Sequence, residues 1–169
     1  MQTRGPMTSL ERFSILIMGQ SITACLERDG APRHAALLSR IITEVGSFSG
    51  RHAIHTGPEI SCPLPADGLP FAVDPESFRE EACVHEPAAG DIVVVCARKG
   101  EWGDFPDAPL VDVGLFYDDG GRLAFPFGRV EGSVAARIEQ ESLSVLRPLA
   151  VQLRDTPNAE IPLRLEFSA

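Results

Sequence analysis

A chain of 169 residues that is 44% apolar and 23% charged suits one globular domain with a sizeable core. Its net charge of −9 opposes binding to nucleic acid or an anionic membrane. It has no apolar run approaching the ~18 residues that a membrane-spanning helix needs. The first thirteen residues, MQTRGPMTSLERF, lack the apolar stretch of a secretory signal, so the cytoplasm is the expected compartment. Residues 1–11 read as a disordered lead, with Met7 an alternative start, and 12–169 as a single domain. Fourteen of the fifteen basic residues are Arg. The 29 Gly and Pro residues favour turns and short strands over long helices.

In chain order, RFSILIM (12–18) is β-branched and apolar, and SITACLE (21–27) alternates with Ile22, Ala24 and Leu26 on one face. The Gly19-Gln20 turn between them predicts a hairpin. Pro32 opens a helix that carries Leu37, Leu38, Ile41, Ile42 and Val45 at helical spacing and ends at Gly46. His34 falls on its polar side and is expected in solvent. SFSG (47–50) reads as a loop, and RHAIHTGPEISCP (51–63) as a strand pair around TGPE. A Pro-rich stretch (63–78) is irregular. EACVHE (81–86) reads as a short strand, and DIVVVCA (91–97) holds the longest apolar run.

The segment 98–109 interrupts with the chain's only Trp. LVDVGLFY (110–117) is a strand, DDGG a hairpin turn, and RLAFPF (122–127) the return strand, with Pro126 implying an edge. SVAARI (133–138) is a further strand. Residues 139–155 carry a stripe of Leu143, Leu146, Leu149, Ala150 and Leu153, with Pro148 expected to kink or split the helix. EIPLRLEF (160–167) alternates cleanly and is placed beside the first strand. About eight mostly antiparallel strands and two helices make a mainly β protein, a closed barrel capped at its ends.

A strand hairpin followed by APRHAALLSRI resembles the opening of cyclophilins, where Ala-Pro begins the first capping helix. PAAGDIVVV, DVGLFYDDGGRL and FPFGRVEGSVAARI are similar to a bacterial family of uncharacterised cyclophilin-like proteins that lack most of the prolyl-isomerase signature. The resemblance covers residues 12–167 and implies an eight-stranded barrel with two helices. Cyclophilins carry Phe-His-Arg on the third strand, then Gln-Gly-Gly-Asp and Ala-Asn-Ala-Gly segments. The equivalent strand here, GRHAIHTGPEISCP, has no Phe-His-Arg, and the other two motifs are absent. The resemblance therefore implies a pocket location more than an activity.

His52 and His55, three apart on a strand, face opposite ways, which argues against their sharing a metal. His55 precedes a turn that can return Glu59 to it, making an acid/base pair beside Arg51 and His52. Their alternative reading is an ordinary strand end. Phe127 and Arg129 in FPFGR form a second cluster, in which the Arg can hold a carboxylate or a polarised carbonyl; core rings with a solvated Arg are the alternative. Trp102 in EWGDFPD (101–107) is either a lid over a ligand or an interface, the latter giving a homo-oligomer.

The four cysteines lack metal-motif spacing and read as reduced, buried thiols, the alternative being a zinc site from Cys83 and His85 with Cys62 or Cys96. No P-loop, G-x-G-x-x-G, H-E-x-x-H or G-x-S-x-G occurs, so no cofactor is expected. Two functions follow. One is a pocket for a compact amide- or carboxylate-like ligand, with hydrolysis or isomerisation of a cyclic amide as its enzymatic form. The other is a non-catalytic protein- or peptide-binding module, with residual prolyl isomerase activity a third reading.

Overall fold

A computed structural model describes residues 11–79 and 81–168. The expected disordered lead, apart from Glu11, lies outside the described residues. The element order is β1 (Arg12–Ile17), β2 (Gln20–Leu26), α1 (Pro32–Arg40), β3 (Ser47–His52), β4 (Glu59–Pro65), β5 (Asp91–Ala97), β6 (Leu110–Phe116), β7 (Ala124–Phe125), β8 (Gly128–Arg129), β9 (Ser133–Ile138), α2 (Gln140–Arg154) and β10 (Ile161–Phe167). Eight strands close a barrel in the order β1-β10-β3-β4-β6-β5-β9-β2, every pairing antiparallel. Closure gives each of the eight barrel strands a neighbour on both sides, so none of them is an edge strand.

Strand alternation fixes which residues fill the barrel. Phe13, Ile15 and Ile17 of β1 face inward with Ile22 and Ala24 of β2, Ile60 and Cys62 of β4, Ile92 and Val94 of β5, and Val111, Val113 and Leu115 of β6. Each such side chain removed from water stabilises the fold by roughly 1.5–3 kcal/mol. Gly50 of β3 belongs to this lining because a Cβ there would meet Cys62 Sγ at 2.7 Å. The helices cap the barrel, α1 against β9 and α2 against β2 and β3. No helix of the described residues is long and apolar enough to cross a membrane.

Several expectations are corrected. SFSG is the first part of β3, not a loop: its residues pair with β10, from Arg164↔Ser47 to Ile161↔Gly50. Two Ser and a Gly around the half-buried Phe48 give little apolar signal, because β3 buries little there. The helix after Pro32 keeps α geometry only to Arg40, then widens into a π-type turn over Ile41–Val45 and ends at Gly46, φ 76°. Pro148 does not split α2, which runs on to Arg154. The residue is exposed, so the carbonyl it leaves unbonded faces solvent, and Leu143, Leu146, Ala150 and Leu153 stay buried in one stripe.

The strand expected at 81–86 is one bridge, Val84↔Gly132. The return strand at 122–127 is absent from the barrel, because β6 is flanked by β4 and β5 instead. Only Ala124 and Phe125 pair, with Arg129 and Gly128, around a tight turn at Pro126-Phe127. DDGG is thus a connection, not a hairpin turn.

His34 is buried at 4% exposure, not solvated. The irregular stretch before Glu81 folds across the start of α1 and covers its polar side. Phe78 meets the His34 ring edge-on at 5.0 Å, and Glu81 accepts from His34 Nδ1 and from the backbone N–H of Arg33 and His34. Burial would raise the Glu81 pKa, but those donors win and hold it low.

Candidate active site

The wall formed by β3, β4, β6 and β5 has a second, outward face. Where Ile60, Cys62, Val111, Val113 and Leu115 point in, Glu59, Ser61, Asp112, Gly114, Val93 and Val95 point out. The register sets them side by side: Ser61 opposite Gly114, Pro63 opposite Asp112, and Val95 opposite Asp112 from the other flank. The segments 98–109 and 122–130, on either side of β6 in the chain, arch over this face and leave a cavity of about 220 Å³.

Its rim is aromatic. Trp102 stacks on Phe127 (centroids 5.3 Å) and on Phe105 (6.0 Å), and Phe127 stacks on Phe125 (5.2 Å). One ion pair and two backbone N–H bonds pin the loop that carries Trp102. Glu101 pairs with Arg79 and accepts from the Arg98 backbone N–H, while Trp102 N–H donates to Phe105 O at 2.9 Å. Phe125 and Phe127 are brought together by the β7–β8 turn, not by strand alternation.

The floor is acidic. Glu59 is 5% exposed, and its carboxyl accepts from the Thr56 hydroxyl. Thr56 is itself fixed by its backbone, since its carbonyl accepts from Arg122 N–H at 3.0 Å. Gly114 makes room for the carboxyl: a Cβ there would lie 2.5 Å from Glu59 Oε1. The Glu59 carboxyl therefore occupies the space of the missing side chain at 114. Asp112, two residues along the same outward row of β6, is its neighbour. Asp112 accepts from Ser61 Oγ at 2.9 Å.

Burial, and then the charge of Asp112, push the Glu59 pKa up to about 8, against the pull of Thr56. Burial raises Asp112 to about 6, opposed by the Ser61 hydroxyl and by Arg51. Two carboxyls so placed cannot both ionise near neutrality. Between these values they hold one proton between them. Such a couple presents an O–H donor beside a carboxylate acceptor, the equipment of general acid/base chemistry.

The residues singled out from sequence scatter around this floor. Arg51, His52, His55, Glu59, Trp102 and Phe127 all line the cavity. His55 is exposed and packs its ring edge on Phe125 at 6.1 Å; no hydrogen bond or ion pair joins it to Glu59 among the described residues. The structure thus partners Glu59 with Thr56 and Asp112 in place of His55. His52 Nδ1 lies 2.8 Å from Ala53 O, which can only accept, so that nitrogen carries the proton and Nε2 accepts from the Tyr117 hydroxyl at 2.6 Å. Both nitrogens are engaged in holding the barrel end.

Arg129 does not line this cavity. It borders an adjoining polar one of about 230 Å³, which shares Trp102 with the first. Cys83 and Cys96 line that second cavity while Cys62 is in the barrel core, and no group of three ligating side chains among the described residues could hold a metal. Cys83 is exposed, unlike the buried thiol expected.

Asp112, Ser61, Thr56 and Gly114 escaped sequence reasoning. The available signal was Asp112 itself, the one charge inside LVDVGLF, a strand apolar on both faces. A carboxyl there needs partners or a proton.

Comparisons with known proteins agree with this architecture. McbB, solved in complex with tryptophan, is 16% identical with a TM-score of 0.56, over 93% of this chain and 45% of that one. This chain thus spans less than half of McbB's length. A cyclophilin-type peptidyl-prolyl cis-trans isomerase of Cryptosporidium parvum is 12% identical with a TM-score of 0.50, over 94% of this chain and 98% of that one. The same parasite isomerase, solved with the dipeptide Ala-Pro, gives 10% identity at TM-score 0.50, over 94% and 99% of the two chains. These likenesses establish the fold as cyclophilin-like. A search of curated protein sequences returns no match. A family model matches residues 13–157, and the chain therefore belongs to DUF3830, a protein family of unknown function.

Proposed function

We propose that the cavity binds a compact amide- or carboxylate-like ligand and that Glu59 and Asp112 act on it as an acid/base couple. In its enzymatic form the reaction is hydrolysis or isomerisation of a cyclic amide. The observation that carries the reading is the carboxyl pair set under four aromatic rings. For hydrolysis, the Asp112 carboxylate takes a proton from water as the oxygen adds to the carbonyl carbon. Glu59 then gives its proton to the ring nitrogen as the C–N bond breaks, and the product is an amino acid or amido acid. The rings exclude water and supply apolar contact, and Arg51 offsets the single negative charge of the couple. The partner in this reading is a small molecule in the cytoplasm, with neither nucleic acid nor membrane involved.

Thermal-shift screening of ring amides and small carboxylates tests it, with proton NMR to detect ring opening. Compounds that stabilise the wild type should lose their effect in a Glu59→Gln, Asp112→Ala double variant. Equal shifts in both proteins would refute the site.

Ile54, Phe105 and Phe127, exposed at 73%, 51% and 48%, favour a second reading. They ring the cavity mouth and would suit a non-catalytic module that grips a peptide or a second copy of the chain. Light scattering on the wild type and on a Phe105→Ser, Phe127→Ser variant separates a self-association surface from a ligand rim. Residual prolyl isomerase activity, the third reading, is checked by a proline-peptide assay against the uncatalysed rate.

A further inference from the structure

The geometry points to a ligand whose amide is secondary and cis, the edge of a ring lactam or imide that still carries its N–H, read by Glu59 and Asp112 together. This rests on the small-molecule reading above and narrows it to a substrate class. The argument starts from the strand. Gly114 opens the space into which Glu59 lies, so the Glu59 carboxyl comes to rest on β6's outward row next to that of Asp112. Each has a hydroxyl of its own, Thr56 on Glu59 and Ser61 on Asp112, that fixes its orientation and uses one acceptor position. Both carboxyls line the cavity, so with one proton between them they offer a ligand one O–H and one carboxylate oxygen.

A donor beside an acceptor matches a C=O beside an N–H. A cis amide offers those two groups on one edge. The trans amide of an ordinary peptide sends them in opposite directions. An X–Pro bond has no N–H to give. The pair therefore discriminates against both linear peptides and prolyl bonds, which is the converse of what a prolyl isomerase pocket must do. The aromatic rim, with Trp102, Phe105, Phe125 and Phe127 around one opening, suits the flat body of such a ring.

The groups that set the charge of the pair come from every element around it. They are Arg51 and His52 on β3, Glu59 and Ser61 on β4, Asp112 on β6, and His55 and Thr56 in the turn between β3 and β4. Among these Arg51 alone is a fixed cation, and it favours the singly ionised couple. Binding should therefore be strongest while the couple holds one proton and weaken on either side.

The test is calorimetric titration of the full chain with three imides near neutral pH: succinimide, N-methylsuccinimide and 2-methylsuccinimide. The last two are isomers of equal bulk, so their difference isolates the N–H. The N–H compounds should bind about 10- to 100-fold more tightly than the N-methyl compound, the range for a hydrogen bond to a charged group. In Asp112→Ala, checked for its fold by circular dichroism, the two methyl isomers should bind alike. Should that variant not fold, the imide proton of ¹⁵N-labelled succinimide in the wild-type complex gives the answer by a downfield shift. Equal binding of the two isomers by the wild type would overturn the inference while leaving a ring-amide pocket standing. No binding by any of the three would overturn both.

Discussion

Replacing Glu59 by Gln removes a carboxyl that burial holds protonated near neutral pH. Gln keeps the size and still accepts from Thr56, so packing over Gly114 is preserved. In the wild type the carboxyl rises from 4.5 to about 8 on folding, chiefly through burial. At about 1.4 kcal/mol per pH unit, the native state gives up on the order of 5 kcal/mol once the carboxylate forms. The sign follows from proton binding: below 4.5 both states hold the proton and nothing is lost. From there to pH 8 the unfolded chain is ionised while the native chain is not, so stability falls as pH rises. The variant has no such group. Urea unfolding of both proteins at pH 4.5, 6, 7 and 8.5 should give a difference in stability that grows in favour of Gln with each step and levels off above pH 8. Parallel curves would refute the raised pKa and with it the proton-sharing couple.

Gly114→Ala places a methyl where the Glu59 carboxyl lies, and should abolish ring-amide binding and lower the stability by roughly 1–3 kcal/mol, measured by calorimetry and denaturation. His34→Ala removes the ring that donates to the Glu81 carboxylate, which keeps its two backbone donors, and should cost about 1.5–3 kcal/mol near neutral pH; the penalty should shrink in acid, because the Glu81 pKa is held low in the native state and its contribution is lost as pH falls through it. His55→Ala should leave ligand affinity within about twofold, since the residue touches Phe125 and not the carboxyl floor. A loss as large as that of Glu59→Gln would restore the His55–Glu59 pair.

The barrel was legible because its signal is alternation. RFSILI, SITACL and IPLRLEF each place apolar residues with the period of a strand whose inward face is dry, while DIVVVCA is an apolar run buried on both faces. The pairing of β10 with β1 could be expected from that pattern alone. The elements that escaped are those whose burial comes from distant chain. His34 looks solvated because α1 reads as amphipathic, and only Ser77, Phe78 and Glu81, packed on the start of α1, make it buried. Residues 122–127 alternate like a strand, yet β4 and β5 already flank β6 and leave only the short β7–β8 pair.

The site was half legible for the same reason. In the sequence Glu59 closes the TGPE turn among polar neighbours and draws attention. Its partner is 53 residues away in a strand that pairs with β4, and register, not local spacing, brings Asp112 beside it. Arg129 was misplaced because the β7–β8 turn sends its side chain to the neighbouring cavity.

The account turns on one proton shared between Glu59 and Asp112, and carboxyl-carbon NMR of the ¹³C-labelled chain, titrated from pH 3 to 10, reads it directly. Two resonances, assigned by their loss in Glu59→Gln and Asp112→Ala, should move in separate steps near pH 6 and pH 8. Both carbons titrating together near pH 4 would contradict the account.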